Sequence, residues 1–301
     1  MSPRHVLLAV AVAAVWGINF VVIEVGLQDF PPLLFSALRF LFAAVPAIFL
    51  LGRPRVAWRY VIAVGLALGV AKFGLLFVGM DHGVPAGLAS LVLQSQVVFT
   101  LLFAMLVLRE RPRRTQLVGI AVACAGLLLI VLDGGLSAPL GALALVIAAA
   151  ACWGVSNTVI RHAKPQDTLR FMVWVSAVAV VPLLGLSLLT EGPRVDLDAL
   201  RGIDLTGVGA LAYLSFVATL FGFGVWGFLL RVYDASTVAP FSLLVPVVGM
   251  AAAWLFRGEA VGLQQGIAAA LIIGGMACTV LRRRTRQQAD SSEWMLTKSA
   301  V

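Results

Sequence analysis

GLASLVLQSQVVFTLLFAMLVLRE, residues 87 to 110, aligns without a gap on STVAPFSLLVPVVGMAAAWLFRGE, residues 236 to 259. Both are long apolar runs closed by a glutamate, and in both a Gly-Ile step follows, Gly119-Ile120 and Gly266-Ile267. Upstream, WGINF at Trp16–Phe20 recurs loosely as WGVSN at Trp153–Asn157. The chain is therefore read as two copies of one unit.

Working outward, charged or Pro/Gly-rich breaks divide the 301 residues into ten apolar segments. They run at about His5–Val25, Pro32–Leu51, Trp58–Met80, Ala86–Leu108, Thr115–Leu132, Leu140–Arg161, Leu169–Leu189, Ile203–Leu230, Thr237–Phe256 and Leu263–Leu281. Each has the roughly 20 residues a helix needs to cross about 30 Å of hydrocarbon. The composition, 61% hydrophobic and 12% charged, lies far from that of soluble domains. No period-2 alternation of a barrel strand occurs, so the expected fold is an all-α polytopic membrane protein. Five crossings per half is an odd number, which places the second copy upside down. The expected organisation is one five-helix repeat over residues 1–136, a second, inverted, over 137–286, and a disordered tail over 287–301. Inverted repeats are a recurring plan of secondary transporters, in which one half rocks against the other about a site near the midplane. A scaffold role for ten helices is the plain alternative.

The net charge of +8 follows membrane topology rather than a nucleic-acid surface. With the N-terminus inside, 17 of the 22 Lys and Arg fall on the inner side, Arg194, Arg201 and Arg257 fall outside, and Arg39 and Lys72 are intramembrane. The positive-inside rule then puts both termini in the cytoplasm. Cys124, Cys152 and Cys278 fall inside spans, have no metal-ligand spacing and read as packing residues. The opening segment lacks a small-residue cleavage site and reads as a retained span.

Ionisable and amide groups at bilayer depth are costly and are candidates for function. Arg39 lies about 10 Å and Lys72 about 12 Å from the outer ends of the second and third helices. Gln94 and Gln96 reach the same slab at about 12 and 15 Å on the fourth, with Asn19 of the first slightly above. Two cations and three amides suit an anionic or zwitterionic, amino-acid-like solute, since Arg grips a carboxylate bidentately and amides both donate and accept. The alternatives are an Arg39 that snorkels to the headgroups and a Lys72 that is partly neutral through burial or reaches a water-filled vestibule. Gln94 and Gln96, two apart, cannot share a helical face, so at most one lines a common cavity. In the second half, Ser156 and Asn157 project near the inner third, where they either form an inward vestibule or bond neighbouring helices, and Tyr213, Ser215, Thr219 and Trp226 of the eighth helix are further path-lining candidates. Trp16, Trp153 and Trp174 read either as cavity walls or as core aromatics. Pro46 and Pro182 fall at matching points of the second and seventh helices and kink them. Gly65 and Gly69 permit close helix approach, expected within the monomer.

No carboxylate is placed at the membrane centre. If protons are the coupling ion, Lys72, Glu24 or Asp81 with neighbouring His82 must carry them. There is no Walker A motif, HExxH, nucleophile elbow or repeated Asp cluster, and GxGxxG at Gly222, Gly224 and Gly227 follows no strand. No enzymatic activity, cofactor or metal is expected; the partners are a small-molecule solute and the lipid bilayer, with the chain a monomer or homodimer.

WGINFVVIEVGL in the first helix, ALRF in the second, PAGLASLVLQSQ at the fourth and LLVPVVG in the ninth resemble the EamA family of the drug/metabolite transporter superfamily. The resemblance covers about residues 4 to 281. It implies a bacterial inner-membrane exporter of small amino-acid metabolites of the O-acetylserine and cysteine type, with a broader drug or metabolite permease as the alternative within the family. Trp16, Asn19, Arg39 and Gln94 fall on its motif positions, whereas Lys72 stands where the family pattern has a neutral polar residue.

Overall fold

A computed structural model describes residues 1–107, 114–132, 138–233 and 235–280. Within them every regular element is helical. Ten helices form the body: α1 (Pro3–Gly26), α2 (Pro32–Leu51), α3 (Trp58–Asp81), α4 (Ala86–Val107), α5 (Arg114–Leu132), α6 (Leu140–Ala163), α7 (Thr168–Thr190), α8 (Leu205–Val232), α9 (Ala239–Arg257) and α10 (Leu263–Val280). Among the described residues nine are long and apolar enough to span a bilayer, and α10 adds a shorter apolar helix. Their outward surface is greasy, with Phe49, Leu50, Val181, Leu189, Trp254 and Leu255 exposed, as lipid contact demands. The expected tail at 287–301, Glu110 and the arginine cluster after Leu281 lie outside the described residues.

The ends are set by local chemistry. Ser2 caps α1 by accepting from the His5 amide, Asp167 caps α7 at Arg170, and Asp204 caps α8 at Gly207. Helix α2 begins at Pro31-Pro32 without a side-chain cap of its own. Glu191, beyond the end of α7, accepts from the amides of Leu33 at 2.6 Å and Leu34 at 3.1 Å instead. A short helix at Pro193–Gly202, unforeseen from the sequence, follows and is tied down by Asp196, which accepts from the Ser187 hydroxyl.

Packing follows a pattern that survives exchanging α1–α5 with α6–α10. Helix α1 packs on α9 as α6 packs on α4, α1 on α8 as α6 on α3, and α2 on α8 as α7 on α3, while α2·α7, α4·α9 and α5·α10 are self-matching pairs. The irregularities obey the same exchange. π-helical turns occupy Gly65–Lys72 in α3 and Tyr213–Phe221 in α8, and 3-10 turns occupy Leu93–Ser95 in α4 and Ala239–Leu243 in α9. Even the closest seams match. A Cβ on Gly17 would lie 2.6 Å from Val248 Cβ and 2.9 Å from the Gly249 amide. A Cβ on Gly154 would lie 2.7 Å from Phe99 Cβ and 2.9 Å from the Thr100 amide, and Phe99-Thr100 is the aligned partner of Val248-Gly249. Gly65 and Gly69 do admit a close neighbour, at Val178 and Ala179 of α7.

The cysteines are free, but Cys124 and Cys278 lie on the exposed surface rather than in the packing interior. The face on which α1 begins is called the near face and the opposite one the far face. On the near face the His5 ring and Tyr233 hydroxyl meet at 2.8 Å and the Trp174 indole donates to the Gly52 carbonyl at 2.7 Å.

Candidate functional site

Arg39 of α2 and Lys72 of α3 are both turned inward, 2% and 4% exposed. They meet around one ring. The Arg39 guanidinium carbon lies 4.1 Å from the centroid of Phe73 and the Lys72 ammonium 3.3 Å from it, and Lys72 also lies 4.8 Å from the Trp153 ring of α6. Snorkelling is thus not what either side chain does. Cation–π contacts of this kind supply about 0.5–2 kcal/mol each, less than the cost of burying a cation at membrane depth. Among the described residues neither cation forms an ion pair with a carboxylate. Arg39 Nε donates to the Thr219 hydroxyl of α8 at 3.2 Å, while Nη1 is buried with no partner. Two adjacent cations without a carboxylate counter-charge are an arrangement that can hold an anion.

Other buried polar atoms also lack partners. Asn19 Oδ1 of α1, Ser36 Oγ on the turn before Arg39 and Ser95 Oγ of α4 are buried without partners. Gln94, 5% exposed, reaches the Ser242 carbonyl at a long 3.5 Å. Gln96 goes elsewhere, as the spacing required: its Oε1 accepts from Asn157 Nδ2 at 2.7 Å, which also donates to Thr100 at 3.1 Å. Trp16 and Tyr213 are engaged with backbone. The Trp16 indole donates to the Ala218 carbonyl at 3.0 Å, lying against Gly222, and the Tyr213 hydroxyl donates to the Val15 carbonyl at 2.8 Å, so the pair clasps α1 to α8. The structure therefore brings Arg39, Lys72 and Trp153 into one cluster and makes Gln96–Asn157 and Trp16–Tyr213 into two helix-bridging pairs. Phe73 and Ser36 were not singled out in the sequence, and Thr219 only as a path-lining residue; the signal for Phe73 was its adjacency to Lys72.

A second polar group lies on the far face. Glu24 at the end of α1 accepts from Arg257 Nε at 2.8 Å and from the Ala86 amide at 3.3 Å, and Glu259 accepts from the Gly87 amide at 3.1 Å. Burial, reinforced by the charge of Glu24, pushes the Glu259 carboxyl above its ordinary value, against the opposing pull of the Gly87 amide. These contacts tie α1, α4 and the end of α9 together.

The profile of the EamA-like transporter family matches residues 4–132 and again residues 140–281. A probable amino-acid metabolite efflux pump of Salmonella typhimurium is 42% identical over 299 residues, spanning 97% of this chain and 100% of that protein. One of the same description from Escherichia coli is 40% identical over 294 residues, spanning 95% and 98%. A solved crystal structure 20% identical to this chain has the same fold, with a TM-score of 0.60 over 93% of this chain and 99% of the other.

Proposed function

Because the chain belongs to the EamA-like transporter family, we infer that it exports small zwitterionic amino-acid metabolites, of the O-acetylserine and cysteine type, by alternating access. The observation that carries this reading is the buried Arg39–Lys72 pair with its unpartnered Nη1 and, among the described residues, no carboxylate paired with it. A solute carboxylate completes that pair through charge-assisted hydrogen bonds. The solute ammonium needs an acceptor, and the free Asn19 Oδ1 supplies one. Gln94 takes polar atoms of the solute side chain, and Trp153 walls the pocket. Gln96 and Asn157 line the path toward the near face, and Trp16 with Tyr213 holds α1 against α8 beside it.

Two inverted repeats, residues 1–136 and 137–286, form the moving bodies. The double match to one family profile and the exchange symmetry of packing and of the π turns support that division. The arginine-rich near face is the cytoplasmic one in a bacterial inner membrane, by the positive-inside rule, so both termini are cytoplasmic. The family and the relatives at 42% and 40% identity are transporters.

Efflux from proteoliposomes loaded with O-acetyl-L-serine, L-cysteine, L-lysine or cysteamine tests the reading, with and without an imposed pH gradient. Cysteamine keeps the thiol and amine of cysteine but lacks its carboxylate, so it is expected to leave more than about tenfold more slowly. Equal rates for all four would remove the carboxylate-based reading in favour of a broad permease.

A further inference from the structure

The Thr219 hydroxyl has one proton, and the structure shows where it goes. Oγ1 lies 2.7 Å from the Leu214 carbonyl, five residues back along the π turn of α8, and donates to it. Its lone pairs then face α2, where Arg39 Nε donates to it at 3.2 Å. Thr219 is 2% exposed and Leu214 fully buried, so water does not compete for either bond. In an ordinary α-helical turn the hydroxyl of residue 219 would lie over the carbonyl four residues back; the π turn offers the fifth.

A guanidinium can hold a carboxylate in two ways, side-on through Nε and one Nη, or end-on through both Nη groups. With Nε already committed and Nη1 free, only the end-on edge remains. We propose that Thr219 is a positioning residue for transport, holding Arg39 so that it presents its Nη1–Nη2 edge to the solute carboxylate. The proposal rests on the assignment of Arg39 as the carboxylate grip. Thr219 belongs to the second half of the chain and Arg39 to the first, so the grip is aimed by a helix of the opposite body.

The test is concentration-dependent O-acetyl-L-serine transport in proteoliposomes by wild type, Thr219→Val, Thr219→Ala, Thr219→Ser and Arg39→Ala. Thr219→Val keeps the shape and loses the hydroxyl, and is expected to raise the half-saturating concentration about tenfold, the worth of a hydrogen bond to a charged group, with the maximal rate within about twofold. Thr219→Ser keeps the hydroxyl and is expected to restore the wild-type value, a rescue that mere packing loss would not show. Thr219→Ala serves as the second hydroxyl-free variant if the valine inserts poorly. Unchanged half-saturation in Thr219→Val and Thr219→Ala, with Arg39→Ala impaired, overturns the positioning role and leaves the carboxylate grip standing. Unimpaired Arg39→Ala overturns the grip itself.

Discussion

Gly154→Ala adds one methyl where α6 meets α4, and its effect can be worked from the geometry. The new Cβ would lie 2.7 Å from Phe99 Cβ and 2.9 Å from both Phe99 C and the Thr100 amide nitrogen. Two of these obstacles are backbone, so no rotamer change relieves them. The helices must part by about 0.7 Å to restore a 3.4 Å contact. Overpacking of this kind costs about 1–3 kcal/mol, and the rigid obstacles place it in the upper half of that range. Ala in place of Gly returns about 1 kcal/mol of helix propensity. The net is a destabilisation of about 1–2 kcal/mol, a fall in Tm of about 1.5–3 °C for a chain of this size. Gly185→Ala, within α7 and with nothing within 4 Å of the added Cβ, keeps the propensity gain alone and is expected to raise Tm by about 1.5 °C. Thermal unfolding of the purified variants in one detergent checks both. Shifts of the same sign in the two variants would refute the close seam.

The far face gives two further predictions. Glu259 holds its proton more tightly in the folded protein than a free carboxyl does, so its contribution to stability is present below the ordinary value of 4.5 and is lost as pH rises through the raised value. Thermal unfolding of wild type should therefore fall more than that of Glu259→Gln between about pH 4 and pH 7; identical pH profiles would refute it. Glu191→Ala removes the acceptor for the Leu33 and Leu34 amides and is expected to cost about 1–2 kcal/mol, as loss of a helix cap does, whereas an unchanged Tm would mean that α2 has another cap.

The spans were legible because continuous apolar length is the strongest signal a membrane chain carries. Helix α2 runs over the residues expected of it, Pro32–Leu51, and α8 starts two residues later than expected because the Asp204 side chain, not the apolar run, defines its first turn. Arg39 and Lys72 stood out as intramembrane charges for the same reason of cost. Their common ring, and the hydroxyl that aims one of them, did not. Phe73 and Thr219 are ordinary in an apolar sequence; what makes them matter is the π turns, a backbone shift of one residue that no composition encodes. The short helix at Pro193–Gly202 escaped because its charges broke the apolar run that marks a span, although Pro193 after Gly192 is a helix-start signal. Surface placement of Cys124 and Cys278 was misread because lipid, unlike water, admits a small apolar thiol on the outside of a bundle.

The claim on which the rest depends is that Arg39 and Lys72 jointly receive the carboxylate of the transported solute. Its most direct measurement is the efflux rate of O-acetyl-L-serine from proteoliposomes carrying equal amounts of correctly inserted wild type, Arg39→Ala or Lys72→Ala. Each lost charge removes a charge-assisted bond, so each variant is predicted to transport more than about tenfold more slowly, and wild-type rates in both would contradict the account.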